Sequence, residues 1–168
     1  MGRKLPVAMT AKEFTQLVKN TYKKHHRIAF LFGFGAGLRI SEITNLEQRD
    51  IHIKDKKVDV RQGKGSKDRV VPLPKGFRED HLKYIPISCG VRSLQRAFKM
   101  AAKRAGLLEI KPTLHFHSLR HSFATRLVSQ GVPIHHIRTM LGHSNISTTN
   151  IYLEANPIDA LKSYEEHF

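Results

Sequence analysis

Apolar side chains recur at every second position in one short part of the chain and at every third or fourth position in most of the rest. The alternating part spans residues 50–74. Its apolar positions are Ile51 and Ile53, then Val58 and Val60, then Val70, Val71 and Leu73. A period of two is typical of strands. The sequence therefore predicts three short antiparallel strands, the last two joined by the turn GKGSKD.

Helical periodicity and helix-ending residues predict the other elements. The first helix begins at Thr10, where Glu13 completes a capping box, and its buried stripe is Phe14, Leu17, Val18 and Tyr22. The remaining predicted helices are IAFLFGFGAG, RISEITNL with Ser41 at its cap, Arg92 to Ala105, His117 to Ser129, a segment starting at Pro133, ISTTNIYLE, and a terminal helix after Asn156 and Pro157. Residues 75–90 are predicted to form a loop. A chain of 168 residues then forms one α+β domain, mostly helical, with a small three-stranded antiparallel sheet.

The charge of the chain indicates a polyanionic partner. Lys and Arg number 29 against 14 Asp and Glu, which gives a formal net charge of +15. Nucleic acid is the commonest polyanion for such a surface, and neither a signal peptide, a long apolar run nor a lipidation motif favours a membrane. The single Cys89 excludes an internal disulfide. We therefore expect a cytoplasmic, DNA-associated protein with no membrane partner.

Four basic residues of one predicted helix lie on a common face. They follow the first of them at offsets of 4, 7 and 11 and are Arg92, Arg96, Lys99 and Lys103. Such a stripe is either a solvated charged face or a surface that follows DNA phosphates. The net charge of the chain favours the second interpretation.

Other chemistries find little support in the sequence. GFGAG lacks the spacing of a dinucleotide fingerprint and lies in a helical apolar run, and GKGSK lacks the first glycine of a P-loop. His117 and His121 have the spacing of a zinc pair, but Arg120 lies between them and no third ligand is apparent. We therefore expect neither a metal nor a cofactor.

Four segments, GLRISEITNL, GKGSKDRVVPLP, HSLRHSFAT and LGHSNISTTNIY, follow one another along the chain. With these segments the sequence resembles the tyrosine recombinases, the phage integrase family that includes the Xer-type enzymes. The resemblance extends from about Leu5 to Tyr164. It implies catalytic roles for Arg39, Lys64, His117, Arg120, His143 and Tyr152, with Tyr152 as the nucleophile. Lys67, three residues after Lys64, is the competing candidate for the catalytic lysine and otherwise a DNA contact.

These residue types suit attack on a phosphodiester. The transition state carries extra negative charge on the non-bridging oxygens, which two arginines can bind with planar forks of donors. A tyrosine hydroxyl, with a pKa near 10, needs a base such as His117, and Lys64 could protonate the departing 5′ oxygen. A phosphotyrosine ester conserves the bond energy, so that neither ATP nor a metal is required.

The resemblance also implies what surrounds this domain. Relatives usually carry a separate N-terminal DNA-binding domain, which we expect to be absent here, so that residues 1–168 form the catalytic domain alone. Double-stranded DNA is the expected partner, with self-association as a dimer or tetramer through the C-terminal helix 158–168. A type IB topoisomerase-like enzyme and a non-catalytic DNA-binding module remain as alternatives.

Overall fold

A computed structural model of the chain describes residues 7–61 and 68–142. The helices are α1 (Ala11–Lys19), α2 (Lys24–Ala36), α3 (Ile40–Thr44), α4 (Val91–Arg104), α5 (Leu107–Ile110), α6 (Ser118–Ser129) and α7 (Ile134–Leu141). The strands are β1 (Ile51–His52), β2 (Lys57–Val60) and β3 (Arg69–Pro72), and 3-10 helices cover Gln48–Asp50 and Glu79–Tyr84. The predicted helices ISTTNIYLE and 158–168 lie outside the described residues.

The three strands form one antiparallel sheet in the order β1-β2-β3. Val58 pairs with Ile51 on one side and with Val71 on the other, so the apolar positions lie on one face. This confirms the predicted α+β fold with a small three-stranded sheet. In β3, Val71 and Arg69 take the buried positions, whereas Val70 is 53% exposed.

The capping box of α1 is formed as the sequence predicts. Thr10 N donates to Glu13 Oε2 at 2.7 Å, and Glu13 N donates to Thr10 Oγ1 at 3.2 Å. The prediction that Tyr22 belongs to the buried stripe is wrong, because the helix ends at Lys19 and Tyr22 is 74% exposed. The Arg104 guanidinium covers the ring of Tyr22 at 4.3 Å from its centroid.

The centre of the core is the packing of α2 against α6. Gly33 permits this close approach, because a Cβ there would lie 3.1 Å from Leu119 Cβ. α2 ends at Gly37, whose φ of 67° is the left-handed conformation that glycine adopts without strain. The packing brings the end of α2 next to the first turns of α6, which positions the site described below.

Three local predictions differ from the structure. Arg39, not Ser41, is the N-terminal flanking residue of α3. The segment 75–90 is not entirely loop, since it includes the 3-10 helix Glu79–Tyr84. After Gly106 the chain forms α5, a short helix that the sequence did not predict. None of the helices in residues 7–61 and 68–142 has the length and apolarity needed to cross a membrane.

Candidate active site

Three of the predicted catalytic residues meet where the end of α2 contacts the start of α6. Arg39 lies three residues after α2 and immediately before α3, His117 flanks the first turn of α6, and Arg120 lies in that turn. Arg120 Nη1 donates to the carbonyl of Gly37 at 2.7 Å, which joins the two helices. The other predicted residues, Lys64, Lys67, His143 and Tyr152, lie outside the described residues.

A single buried carboxylate organises the arginines. Glu42, on α3, accepts both terminal nitrogens of Arg69 at 2.8 Å, one on each oxygen. It also accepts Arg39 Nη1 at 3.1 Å and the Arg39 backbone N–H at 2.7 Å. Arg120 Nη1 lies 4.0 Å from Glu42 Oε2. Glu42 therefore fixes the spacing of three guanidinium groups.

Backbone carbonyls at the C-terminal end of α7 are the second set of acceptors for this cluster. Its last two carbonyls and the carbonyl of Gly142, which caps it, each accept a hydrogen bond from a different arginine. The pairs are Arg69 Nε to Met140 O at 2.7 Å, Arg120 Nη2 to Leu141 O at 2.5 Å, and Arg39 Nη2 to Gly142 O at 3.5 Å. A helix C-terminus carries partial negative charge and carbonyls without helical partners, so it is a favourable place for cations.

The three arginines differ in how far solvent reaches them. The Arg39 side chain is 37% exposed, whereas the side chains of Arg69 and Arg120 are 5% and 1% exposed. Three positive charges face one carboxylate and the partial charge of a helix end, so the cluster keeps a net positive charge. Such a cluster favours an anion such as a phosphodiester.

Two pKa shifts follow from this arrangement. Burial alone would raise the pKa of Glu42, but hydrogen bonds from Arg69 and the Arg39 backbone, with the charges of Arg69 and Arg120, lower it below its usual value. The pKa of His117 is lowered by burial first and then by the charges of Arg120, His115 and Arg39. Its imidazole is therefore neutral at neutral pH and can accept a proton.

The hairpin that carries Lys64 is anchored at both ends by arginine–carboxylate pairs. At the end of β2, Arg61 Nε and Nη2 contact the two oxygens of Asp50 at 2.8 and 2.9 Å. At the start of β3, Arg69 makes its paired contact with Glu42. Both strands leading to Lys64 are thus fixed to helical parts of the domain.

The basic stripe of α4 faces outward. Its four members, Arg92, Arg96, Lys99 and Lys103, are all exposed, whereas Leu94, Phe98 and Ala101 on the opposite side are buried. Lys99 lines a cavity of about 410 Å³ together with His115 and His117. One member of the stripe therefore shares a cavity with the candidate base His117, and the contact of the stripe with DNA stays a prediction.

Among the described residues, one group could offer three metal ligands. It consists of His25, His26 and Cys89, whose ligand atoms lie within 4.8 Å of one another. Burial, His25 and Lys23 lower the pKa of His26 to about 4. The group lies against the positively charged first turn of α2, where Lys23 and the helix dipole oppose a further cation. We therefore assign no metal to it.

Sequence reasoning missed two members of the cluster, Glu42 and Arg69. Each left a signal in the sequence. Glu42 lies three residues after Arg39, one helical turn along α3. Arg69 lies two residues before Val71, so the period of two places it on the buried side of β3. A charged residue at such a position requires a buried partner.

The clustered arginines beside a neutral histidine can bind an anion such as a phosphodiester, and comparison with known proteins gives the family of the chain. The chain matches the phage integrase family over residues 8–88 and 87–158, and it belongs to that family, the tyrosine recombinases. Tyrosine recombinase XerA of Thermococcus kodakarensis is 36% identical over 184 residues, which cover 98% of this chain and 63% of that protein. The chain thus spans slightly less than two thirds of this relative.

Solved structures show the same fold. The crystal structure of XerA recombinase superposes with a TM-score of 0.76 at 24% identity, over 99% of this chain and 66% of that one. XerH recombinase bound to a palindromic difH substrate, in a post-cleavage complex, gives a TM-score of 0.76 at 22% identity, over 96% of this chain and 53% of that one. The resemblance to tyrosine recombinases is confirmed.

Proposed function

We propose that this chain is the catalytic domain of a site-specific DNA recombinase that cleaves and rejoins strands through a 3′-phosphotyrosyl intermediate on Tyr152. The observation that carries the proposal is the meeting of Arg39 and Arg120 at the end of α7, close enough to His117 for their charges to lower its pKa. In the sequence, His143 directly follows Gly142 at that helix end, and Tyr152 lies nine residues after His143. Membership of the tyrosine recombinase family supports the same reaction.

In the proposed cleavage, the Tyr152 hydroxyl attacks the scissile phosphorus and the bond from phosphorus to the 5′ oxygen breaks. His117 accepts the tyrosine proton, and Lys64 gives a proton to the departing 5′ oxygen. Arg39 and Arg120 stabilise the charge that develops on the non-bridging oxygens, with His143 as a further hydrogen-bond donor. A 5′ hydroxyl reverses the same steps, so rejoining consumes no ATP. In this proposal the cationic side chains do the electrostatic work that a metal does in other phosphoryl-transfer enzymes.

The DNA contacts that we propose outside the arginine cluster are those of the α4 stripe and of Lys67. Eleven residues of helix span about 16 Å, so the stripe from Arg92 to Lys103 can follow several phosphates. Its exposed basic side chains and the nearness of Lys99 to His117 support this path. The complex of XerH with its difH substrate supports double-stranded DNA as the ligand.

The test is covalent capture on a nicked suicide duplex, in which the cleaved product diffuses away and leaves the protein attached to DNA. We expect an adduct with the native chain and none with Tyr152→Phe. Tyr22→Phe removes the same hydroxyl from an exposed side chain and should leave adduct formation intact. If the native chain forms no adduct, the non-catalytic DNA-binding module is the interpretation that remains. An adduct with relaxation of supercoils but no exchange between two duplexes would favour the topoisomerase-like alternative.

Self-association through residues 158–168 is part of the proposal, because exchange between two duplexes requires protomers that act together. Deletion of this segment should abolish strand exchange and spare the single cleavage measured on the suicide duplex. Exchange that persists after the deletion would contradict this role. The cytoplasmic, DNA-associated location also stays a prediction.

A further inference from the structure

We propose that Arg69 is a positioning residue of the strand-cleavage reaction, acting through Glu42 on Arg39 and Arg120. The inference rests on the proposed function and adds a residue to it. Arg69 itself is too deeply buried to reach DNA, since its side chain is 5% exposed. Its effect must therefore pass through the groups that it holds.

The first of these groups is the Glu42 carboxylate. Both terminal nitrogens of Arg69 donate to it at 2.8 Å, one to each oxygen, so the plane of the carboxylate is fixed by the plane of the guanidinium. The same carboxylate contacts Arg39 Nη1 at 3.1 Å and lies 4.0 Å from Arg120 Nη1. Rotation of Glu42 would move its contacts with both arginines.

The second group is the end of α7. The third guanidinium nitrogen of Arg69, Nε, donates to Met140 O at 2.7 Å. The next two carbonyls along the chain accept Arg120 and Arg39. Gly142 packs against Arg69, because a Cβ at Gly142 would lie 3.1 Å from Arg69 Cδ. Arg69 thus sets the position of the backbone that receives the other two arginines.

The third group is the pair of strands on either side of Lys64. Arg69 is the first residue of β3 and pairs with Val60 at the end of β2. One side chain therefore joins β3, the carboxylate on α3 and the end of α7. A lysine cannot reproduce this arrangement, because an ammonium group lacks the planar fork and the additional Nε donor.

The experiment compares Arg69→Met and Arg69→Lys with the native chain. The measurement is the single-turnover rate of adduct formation on the suicide duplex at saturating DNA, with the DNA dissociation constant measured separately. We expect Arg69→Met to lower the rate about 100-fold, the effect of a displacement of about 1 Å at a reacting centre. The rate of Arg69→Lys should lie between the rates of Arg69→Met and of the native chain. The dissociation constant should change little, because Arg69 does not reach the DNA.

The matched control is Arg126→Met. Arg126 is a partly buried arginine on α6 whose Nη2 donates to Phe34 O at 2.9 Å and whose guanidinium covers the Phe34 ring at 4.4 Å. These contacts tie α6 to α2 at Phe34, away from the Glu42 carboxylate, so the loss of Arg126 reports the cost of removing a structural arginine. Equal rate losses for Arg69→Met and Arg126→Met, at equal thermal stability, would overturn the proposal.

A change in the substrate distinguishes positioning from a general structural role. A methylphosphonate at the scissile position replaces one charged non-bridging oxygen with a neutral methyl group, which removes much of the charge that Arg39 and Arg120 stabilise. If Arg69 acts through these arginines, the ratio of the native cleavage rate to the Arg69→Met rate should fall toward one on this substrate. An equal defect on both substrates would contradict it.

A measurement without DNA keeps the inference separate from the proposed function. In the ¹⁵N spectrum of the arginine side chains, Arg69→Lys should shift the Nε signals of Arg39 and Arg120, and Arg126→Lys should leave them in place. Unshifted signals would refute the positioning role. Shifted signals together with the absence of any Tyr152-dependent adduct in the native chain would refute the proposed function instead.

Discussion

At the scale of the single residue, Glu42 is a carboxylate held out of water by the arginines around it, with 9% of its side chain exposed. Removing one partner of such a buried pair leaves the other charge uncompensated, which commonly costs about 3–5 kcal/mol. We therefore predict that Glu42→Gln lowers the free energy of unfolding in urea by about 3 kcal/mol. Glu47→Gln removes a carboxylate from exposed ion pairs with Arg49 and Arg61 and should lower the free energy of unfolding much less.

The same carboxylate predicts how the stability of the folded chain changes at acidic pH. The pKa of Glu42 is lower in the folded chain than its ordinary value of 4.5, so its contribution to stability is fully present above that value. The contribution is lost as the pH falls from there through the folded pKa, because protonation ends the contact with Arg69. The stability of Glu42→Gln should therefore depend less on pH in this range than that of the native chain. If the free energy of unfolding of the variant and of the native chain changes with pH in parallel, this prediction is wrong.

His117 gives a prediction for the pH dependence of cleavage. Because burial and the charges of Arg120, His115 and Arg39 lower its pKa, its proton-accepting form persists below the ordinary value of 6.5. The acid limb of the kcat/KM profile, which reports the free enzyme, should therefore lie below pH 6.5. His115→Gln removes one of the charges and should shift this limb to higher pH. A limb above pH 6.5 in the native chain would exclude His117 as the base.

Single residues also mark where sequence reasoning stopped. Arg39, His117 and Arg120 could be named because motifs of neighbouring residues carry them. The pair of Glu42 with Arg69 spans 27 positions, and the bond from Arg69 to Met140 spans 71. Only the folded chain brings such distant positions together. The alternation in β3 could have predicted that Arg69 is buried, but not what it contacts.

At the scale of secondary structure, the glycine at the end of α2 supports the junction of α2 with α6 in addition to Gly33. Gly37 has a φ of 67°, its carbonyl accepts Arg120, and a Cβ there would collide with the Phe123 ring. Gly131 has a φ of 73°, but a Cβ there would meet nothing within 4 Å. Alanine at either position incurs the left-handed strain of about 1–2 kcal/mol, and only Gly37→Ala adds the collision.

We therefore predict that Gly37→Ala lowers the free energy of unfolding by about 3 kcal/mol or more, and Gly131→Ala by about 1 kcal/mol. Chemical denaturation of the two variants beside the native chain measures both values. The difference between them reports the collision with Phe123, since the two glycines have similar positive φ angles, 67° and 73°. Equal losses would show that the α2–α6 contact adjusts without cost.

The elements themselves were largely readable from the sequence. Periodicity and capping residues predicted α1, α2, α4, α6 and α7 to within a few residues, and the period of two predicted all three strands. One error arose where side chains compete with the backbone for the hydrogen bonds of a helix. The helix α1 ends before Tyr22 because Asn20 Nδ2 donates to Gln16 O and Thr21 Oγ1 donates to Leu17 O. These side-chain hydrogen bonds take the place of the backbone bonds of a further helical turn. Tyr22 therefore lies beyond the helix and is exposed to solvent.

At the scale of the whole molecule, the net charge of +15 should dominate DNA affinity. Release of counterions makes binding fall steeply with salt, by about 1000-fold or more between roughly 50 and 200 mM if six or more phosphates are contacted. Fluorescence anisotropy with a labelled duplex across this range measures the slope. A flat response would contradict the proposed phosphate contacts.

The stripe on α4 sharpens this expectation. Lys103→Gln should reduce the slope of log K against log salt by about one. Lys12→Gln removes the same charge from an exposed position on α1 and should leave the slope unchanged. Equal slopes for the two variants would place the DNA path elsewhere on the surface.

The hydrogen bonds at the end of α7 bear on how this part of the chain can vary among relatives. The acceptors there belong to the main chain, so the identity of a side chain such as Met140, which is not fully buried, hardly affects them. Substitutions at that position should be tolerated as long as the helix ends at the same place. An inserted or deleted residue in α7 would instead displace all three carbonyls at once and detach every arginine together. Length, more than composition, is therefore the property of α7 that selection must preserve.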